Sequence, residues 1–390
     1  MVQVASLFNQ LLKQFPRTEF ADLVRKHGAE RHAKGFSCWT QFVAMLFCQL
    51  SRTESLREIC NGLSCCLGKL VHLGVQRAPL RSTLSYANQH RPAALFEDLF
   101  WTTLNRFRQQ QLLGPRPTRF RFKNKLLSLD STTISLCLNL FPWARFKRAK
   151  GGVKAHVLLD HDDYMPRFVL LTDAKAADVR MARAIPIPSE SIVVCDRAYM
   201  DFPRFEKWTD ADIHFVCRLP NYPLYRVVSE CSVPTRGNIL SDQIVQFTGR
   251  YSGSCRYPLR RIAVRIEGED QPLILLTDLL KFAASTIARI YKERWQIEVF
   301  FKTLKQNLEI KTFIGTSENA LRIQIWTALI AMLLLKWLHH LSKMRWSLSN
   351  LACMLRLNLF TYRHLQAWLD EPFSTPPLEP QAHQFNLEFV

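Results

Sequence analysis

Apolar residues recur at two different spacings along this chain, and the change from one to the other divides it. Up to about residue 115 the period is helical. Leu7, Leu11, Leu12 and Phe15 share one face, and Phe42, Leu46 and Leu50 share another. A helix from Ser55 to Leu63, a Gly-containing connection and a helix through Tyr86 would form a helix-turn-helix; Ser82 or Thr83 would cap the second helix, between Pro79 and Pro92. A plain helical bundle fits the same pattern. From Lys125 the texture becomes strand-like: Leu126 to Asp130, Val153 to Leu159, and Arg167 to Leu171, the last two joined through the turn His161-Asp162-Asp163. Ala177 to Ala184 reads as a helix, Ile192 to Cys195 as a buried strand ending at Asp196, Asp201 to Trp208 as a helix, and Ile213 to Arg218 as a strand.

Short β-like runs follow between Pro220 and Leu280 (Tyr225 to Val228, Ile244 to Phe247, Ile262 to Ile266, Leu273 to Leu276), so this segment reads as a β-rich insertion. A long helix is expected from Ser285 to about Leu308, with further helix through His340 to about Leu359. The last twenty residues carry Pro372, Pro376, Pro377 and Pro380 and read as a disordered tail. The expected division is 1–118 helical, 119–219 mixed α/β, 220–282 the β-rich insertion, 283–312 a helix that rejoins the mixed α/β part, 313–370 helical, and 371–390 the tail. No internal repeat is visible.

Composition narrows the class. With 48% hydrophobic and 22% charged residues among 390, the chain is globular, which excludes wholesale disorder, collagen and coiled coil. The longest apolar run, Ile325 to Leu335, is short of the ~20 residues a membrane span needs, so a buried core helix is expected there. No secretory signal precedes Phe15. Eleven scattered cysteines without a CxxC pair point to reduced core residues rather than to disulfides or zinc. The formal net charge of +19 calls for a polyanion: nucleic acid first, an acidic membrane surface second. The membrane reading lacks a basic amphipathic helix with an extended apolar face.

The charge is concentrated. Between Pro115 and Lys154 lie Arg116, Arg119, Arg121, Lys123, Lys125, Arg145, Lys147, Arg148, Lys150 and Lys154, with one acid, Asp130. Such residues hold phosphates by charge and by bidentate Arg contacts. Asp130 is either a neutralised structural residue or a metal ligand placed where a phosphate backbone arrives. Asp196 closes the next buried strand, and carboxylates at neighbouring strand ends converge where a divalent cation can collect them; alone, such an Asp is a turn or helix cap. On the long helix, Tyr291, Arg294, Glu298 and Lys305 fall within an arc of about 60° at ~3.6 residues per turn, beside the apolar stripe Ile290, Ile297, Phe301, Leu304 and Leu308. Glu298 could instead simply pair with Arg294 or Lys302 one turn away.

The run Tyr291-x2-Arg294-x3-Glu298-x6-Lys305 resembles the signature of the insertion sequence 4 family of DDE transposases. Asp130 in Leu129-Asp130-Ser131-Thr132 and Asp196 in Val194-Cys195-Asp196-Arg197-Ala198-Tyr199 resemble the family's other two catalytic carboxylates, and Phe215-Val216-Cys217-Arg218 its following strand. Many relatives carry Gly at the position of Ala198. The similarity runs from about Leu126 to Leu308, and the first ~75 residues resemble a helical N-terminal domain of one branch.

The resemblance implies an RNase H-like core interrupted by the β insertion, and Asp130, Asp196 and Glu298 as catalytic metal ligands. Three carboxylates carry about −3 charge, which two Mg²⁺ or Mn²⁺ ions would balance and use for in-line displacement at phosphorus. It further implies DNA contacts from Tyr291, Arg294, Lys305 and Arg197, joined by Arg119, Arg121, Lys123, Lys147, Arg148 and Lys150. The implied partners are double-stranded DNA (the inverted-repeat ends and the target) and a second copy in a dimer that pairs two ends. The implied setting is the bacterial cytoplasm, at the nucleoid. Relatives that open a DNA hairpin hold a flipped base with a Trp in the insertion. None lies between Trp208 and Trp295, and Tyr222, Tyr225, Tyr251 or Phe282 could stack instead. The alternatives are a nuclease of the same fold that cuts without joining, and an inactive DNA-binding repressor.

Overall fold

The computed structural model describes residues 5–378 apart from 32, 34, 67, 115–119, 137–144, 148–149, 175–177, 179–180, 182, 221–223, 234, 250–254 and 309–313. It separates into two compact units, residues 1–114 with 303–390, and residues 115–302.

The first unit is helical: α1 (Leu7–Leu12), α2 (Arg17–Lys26), α3 (Cys38–Ser51), α4 (Leu56–Ser64), α5 (Arg81–His90) and α6 (Ala94–Gln109) precede the strands. The Ser37 hydroxyl opens α3 by accepting from the Thr40 amide at 3.1 Å, and Arg52 ends it in the left-handed region at φ 58°. Trp39, Phe42, Val43, Met45 and Leu46 are all buried, so α3 is apolar nearly all round, as a central helix must be. In α4 the Ser55 hydroxyl accepts from the Glu58 amide at 3.2 Å, and the Glu58 carboxylate accepts from the Glu54 amide at 2.7 Å, a reciprocal capping arrangement. Between α4 and α5 the chain makes a short 3-10 turn at Val71–Leu73. The link is longer than the three or four residues of a tight helix-turn-helix. Helix α5 begins at Arg81 with Leu80 as its cap; Ser82 and Thr83, expected to cap it, lie in its first turn, and Leu80 makes no side-chain capping bond.

The second unit contains β1 (Lys125–Leu136), β2 (Arg145–Lys147), β3 (Lys150–Asp160), β4 (Pro166–Asp173), β5 (Ser191–Cys195), α7 (Phe202–Asp210), β6 (Ile213–Arg218), β7 (Tyr225–Glu230), β8 (Ile239–Phe247), β9 (Leu259–Val264), β10 (Leu273–Thr277), α8 (Ala284–Glu293) and the first part of α9 (Trp295–Asn307), up to Lys302. The strands form one mixed sheet in the order β2-β3-β1-β5-β6-β10-β9-β8-β7, with β4 also paired to β3. Its centre is parallel, β1 with β5 and β5 with β6, and every other pairing is antiparallel. The β-rich segment after residue 220 thus extends the same sheet through β10. Half of the helix expected at Ala177 to Ala184 lies outside the described residues; Asp178 and Met181 are helical, and Arg183 and Ala184 form a turn.

Both faces of the sheet are covered, which explains why β5 reads as a continuous apolar run. Leu127, Leu129, Val193, Cys195 and Phe215 pack with Phe205 and Trp208 of α7 on one face. Leu126, Ile192, Val194 and Val216 pack with Ile287, Ile290 and Tyr291 of α8 on the other. The long helix expected from Ser285 to Leu308 is two helices. At Arg294 the bonds tighten to a 3-10 pattern, Arg294 amide to Tyr291 carbonyl at 3.0 Å and Ile297 amide to Arg294 carbonyl at 3.1 Å.

The chain then returns to the helical unit with α10 (Glu318–Leu341), α11 (Leu348–Asn358) and α12 (Leu365–Asp370). Helix α10 is 24 residues long with a mean hydropathy of 1.5, enough to cross a membrane by length and composition. Its most apolar stretch is 89% buried, packed on α3, α5 and α6, which makes it the core helix of this unit. The N- and C-terminal regions, expected as separate segments, are joined here. The Leu7 and Phe8 amides donate to the Thr361 and Leu359 carbonyls at 3.1 and 2.8 Å, and Phe8 packs edge-on to Phe360 at 5.8 Å. Residues 371–378, expected in the tail, are tied back: the Leu378 amide donates to the Tyr362 carbonyl at 2.7 Å, and Arg363 donates to the Thr375 carbonyl at 2.7 Å. Residues 379–390 lie outside the described residues.

Candidate active site

Side chains alternate between the faces of a strand. Since Leu126 of β1 and Ile192 and Val194 of β5 face α8, Asp130 and Asp196 belong to that face too. The parallel register pairs Leu129 with Cys195, so the two aspartates follow paired residues on adjacent strands. Glu298 lies in the first turn of α9, just past the break at Arg294.

The centre of the site is the Arg294 guanidinium. Its Nη2 lies 2.7 Å from Glu298 Oε1, and its Nη1 lies 3.5 Å from Asp130 Oδ2. The pairing of Glu298 with Arg294 one turn away is therefore present, and Asp130 joins it from the sheet. Arg294 was expected to face phosphates; here it lies among carboxylates, where a cation has the most to neutralise. Its guanidinium also sits 5.6 Å from the centre of the buried Tyr291 ring.

Burial pushes the Asp130 carboxyl up to about 6; the Ser131 amide and Arg294 oppose the rise, while Asp196 and Glu298 add to it. Burial likewise raises Tyr291 to about 12, with the charge of Asp196 adding to the rise. For Arg294, burial pulls downward, but Tyr291, Glu298 and Asp130 outweigh it, and the guanidinium is held above its ordinary value. Asp196 and Glu298 thus lie near enough to Asp130 to act on its charge.

These donors are all carboxylate oxygens, the set that suits a hard divalent cation such as Mg²⁺ or Mn²⁺. Among the described residues no three His, Cys, Asp or Glu side chains are gathered closely enough to hold a metal ion. The Arg294 guanidinium stands between two of the three carboxylates in the role of the compensating cation.

Behind Asp130, on the opposite face of β1, lies a polar cluster that the sequence did not signal. The Ser131 hydroxyl donates to Asp178 Oδ1 at 2.6 Å, and Lys154 Nζ reaches the same carboxylate at 3.2 and 3.3 Å. His156, directly opposite Ser131 in the antiparallel register, is buried and donates to or accepts from Thr172 Oγ1 at 3.0 Å. Burial pulls His156 down to about 4, so it is neutral at pH 7. The Ser131 amide in turn donates to Asp130 Oδ1 at 2.8 Å, which connects the cluster to the site.

The basic segment is less free than its sequence suggested. Lys125 pairs with Asp160 at 3.2 Å and Asp162 at 2.7 Å, and Lys154 with Asp178. The acids come from the β3–β4 turn and from residue 178, outside the forty-residue window in which Asp130 was the one acid. Arg121, Lys123 and Arg197 are exposed, and Lys305 is half-buried in α9. Arg116, Arg119 and Arg148 lie outside the described residues, as do the side chains of Arg145, Lys147 and Lys150. Of the aromatic residues considered for stacking, Tyr225 packs edge-on to Phe247 at 6.0 Å beneath Arg261, and Phe282 against Phe122 at 5.4 Å. Tyr222 and Tyr251 lie outside the described residues.

Residues 121–334 match the family model described as a transposase DDE domain, more than half of the chain, and residues 3–76 match a domain of unknown function, DUF4372. The chain belongs to the DDE transposase family and is a DNA transposase, an enzyme. It is 29% identical over 324 residues to a putative transposase, y4zB, of Sinorhizobium fredii, covering 80% of this chain and 87% of that one. It is 31% identical over 239 residues to a probable transposase for insertion sequence element IS5377 of Geobacillus stearothermophilus, covering 60% and 62%. Among solved structures, a cryo-EM piggyBac transposase synaptic complex with hairpin DNA aligns at 10% identity and a TM-score of 0.43, over 97% of this chain and 84% of that one.

Proposed function

We propose that this transposase excises an insertion sequence and joins it to a target, with Asp130, Asp196 and Glu298 as its catalytic carboxylates. One observation carries the reading: two aspartates at the ends of adjacent parallel strands, on the sheet face that packs on α8, with Arg294 at the α8–α9 junction contacting both Asp130 and Glu298. The strand order β4-β3-β1-β5-β6, with β3 antiparallel and β1, β5 and β6 parallel, supports an RNase H-like core.

Asp130, Asp196 and Glu298 would hold divalent cations, Mg²⁺ or Mn²⁺, two being expected from the charge. When bound, such ions sharpen the attacking oxygen and steady the leaving one at phosphorus. Asp130 would be aimed by the Ser131 amide, and Glu298 by the rigid first turn of α9. Arg294 would exchange its carboxylate partners for a backbone phosphate, its donor fork fitting either. Tyr291, buried beneath it, would form the floor against which DNA comes to rest. Arg197, Arg121 and Lys123, with Lys305 and the basic residues Arg119, Lys147, Arg148 and Lys150, would hold the flanking backbone by charge. The DNA is the double-stranded inverted-repeat ends and the target, gripped by two copies of the chain, in the cytoplasm at the nucleoid.

The test uses purified protein, Mg²⁺ and a plasmid carrying the gene with its native flanks. Excised fragment and products joined to a second plasmid are expected. Cleavage without any joined product would replace this reading by a nuclease; binding with neither would leave a repressor.

A further inference from the structure

The helical unit contains a surface that the catalytic reading does not use. Helix α5 buries Leu84, Ala87 and Asn88 against its neighbours and exposes Arg81, Ser82, Ser85, Tyr86, Gln89 and His90. Every one of these six can donate or accept a hydrogen bond, and none is acidic. A helix face that only meets water normally mixes Glu with Lys or Arg, the strong helix formers. Here it holds Ser, Tyr and His, which are weaker formers. Tyr86 is 65% exposed and its ring stacks on His90 at 4.0 Å.

The mounting of α5 is rigid. Gln41 of α3 donates to Asn88 Oδ1 at 2.8 Å in the core. At the same C-terminal end of the helix, Asn319 donates to the carbonyls of Asn88 and Arg91 at 2.9 and 2.6 Å and accepts from the Ala93 amide at 3.1 Å. A buried polar pair fixes which way a helix is turned, because a rotation would strand both groups. What it fixes here is the aim of the exposed face. At the N-terminal end of α5 opens a cleft of about 900 Å³ whose lining includes Arg52, Arg57 and Arg81. Glu54 and Glu58 line it too, and Glu58 is engaged in the cap of α4. Arg77, on the approach to α5, is also exposed.

We propose that α5 lies in a DNA major groove and reads base edges through Ser82, Ser85, Tyr86 and Gln89, while Arg57, Arg77 and Arg81 hold the adjoining phosphates. The major groove admits one α-helix, and Gln is suited to paired contacts on adenine. Phosphate contacts orient without specifying, whereas base contacts specify. This rests on the transposase acting on particular DNA ends, and it assigns the choice of end to α5 rather than to the sheet.

Full-length protein is titrated, without divalent metal, against fragments from each flank of its gene and against the same fragments scrambled. The wild type is expected to prefer a flank by tenfold or more. Ser85→Ala with Gln89→Ala should bind flank and scrambled DNA alike, at the wild-type's scrambled-DNA affinity and with an unchanged melting temperature. Arg57→Ala with Arg77→Ala should weaken both fragments about equally and keep the preference. The proposal is overturned if the Ser85/Gln89 variant keeps its preference, if the wild type prefers neither flank, or if that variant changes oligomeric state instead, which would make the face a contact between copies. Cleavage of the flank on adding Mg²⁺ is scored separately, so failure of the catalytic reading is visible as intact DNA beneath a preserved preference.

Discussion

Arg260 and Arg294, two of the carboxylate-paired arginines in the sheet unit, differ in how completely they are held. Arg260 meets Asp242 through two bonds, Nε to Oδ1 at 2.7 Å and Nη2 to Oδ2 at 2.6 Å, with both side chains buried. Its remaining Nη1 donates to the carbonyls of Leu279, Leu280 and Phe282. Arg294 makes one close contact with Glu298 and a looser one with Asp130, and its Nε is buried without a hydrogen-bond partner among the described residues. The carboxylates it touches keep 21% and 34% of their side-chain surface in solvent. The first arginine is saturated, and it ties β8 and β9 to the loop before α8. The second retains unspent donor capacity beside partly hydrated carboxylates, the state expected of a group that will change partners. Identical residue types therefore serve a lock in one place and a site in the other.

That contrast can be broken at either end. Asp242→Ala should destabilise the fold by about 3–5 kcal/mol in denaturant titration, because it leaves a buried guanidinium without its counter-charge. Arg294→Ala should cost about 1 kcal/mol or less by the same measurement, its partners being partly hydrated, yet slow cleavage about 100-fold, the scale of losing one charged donor at a reacting phosphate. If the two substitutions destabilise equally, the distinction between lock and site is wrong. Asp178→Asn should lower the cleavage rate about tenfold with DNA affinity unchanged, since Ser131 then loses the charged acceptor that orients it beside Asp130. An unchanged rate would remove that cluster from the site.

The smallest effect is a pH dependence away from the site. His214 donates through Nδ1 to Asp278 Oδ2 at 2.8 Å, and this bond holds its imidazolium above the ordinary value against the opposing pull of burial. A raised histidine stabilises the fold fully below its unfolded value near 6.5, and the contribution fades as pH rises through the higher folded value. The melting temperature of the wild type should therefore decline more than that of His214→Gln as pH rises from about 6 upward; parallel curves would contradict the pairing.

Much of the sheet was legible because period-two burial and Asp-terminated apolar runs are local signals. Leu126 to Asp130 and Ile192 to Cys195 read as apolar strands each closed by an aspartate, and they are neighbouring parallel strands. The stripe Tyr291, Arg294, Glu298 and Lys305 was read on one continuous helix, but the tightening at Arg294 divides it, and nothing in that run but helix-compatible residues marks a break. What stayed hidden depends on residues far apart in sequence. Lys125 and Lys154 were counted as free charge because Asp160, Asp162 and Asp178 reach them only once the chain turns back. The joining of the two terminal regions rests on Leu7, Phe8 and Gln10 meeting residues 359–363, a pairing that no periodicity encodes.

The central claim is that Asp130, Asp196 and Glu298 work as one unit. Its most direct test compares Mg²⁺-dependent cleavage of the gene's flanking DNA by the wild type, the three single alanine variants and the triple variant, at equal DNA occupancy. Residues acting together are strongly non-additive, so each single substitution should lower the cleavage rate by about 1,000-fold or more and the triple should be no slower. A single variant that cleaves at the wild-type rate, or three modest losses that multiply in the triple, would contradict it.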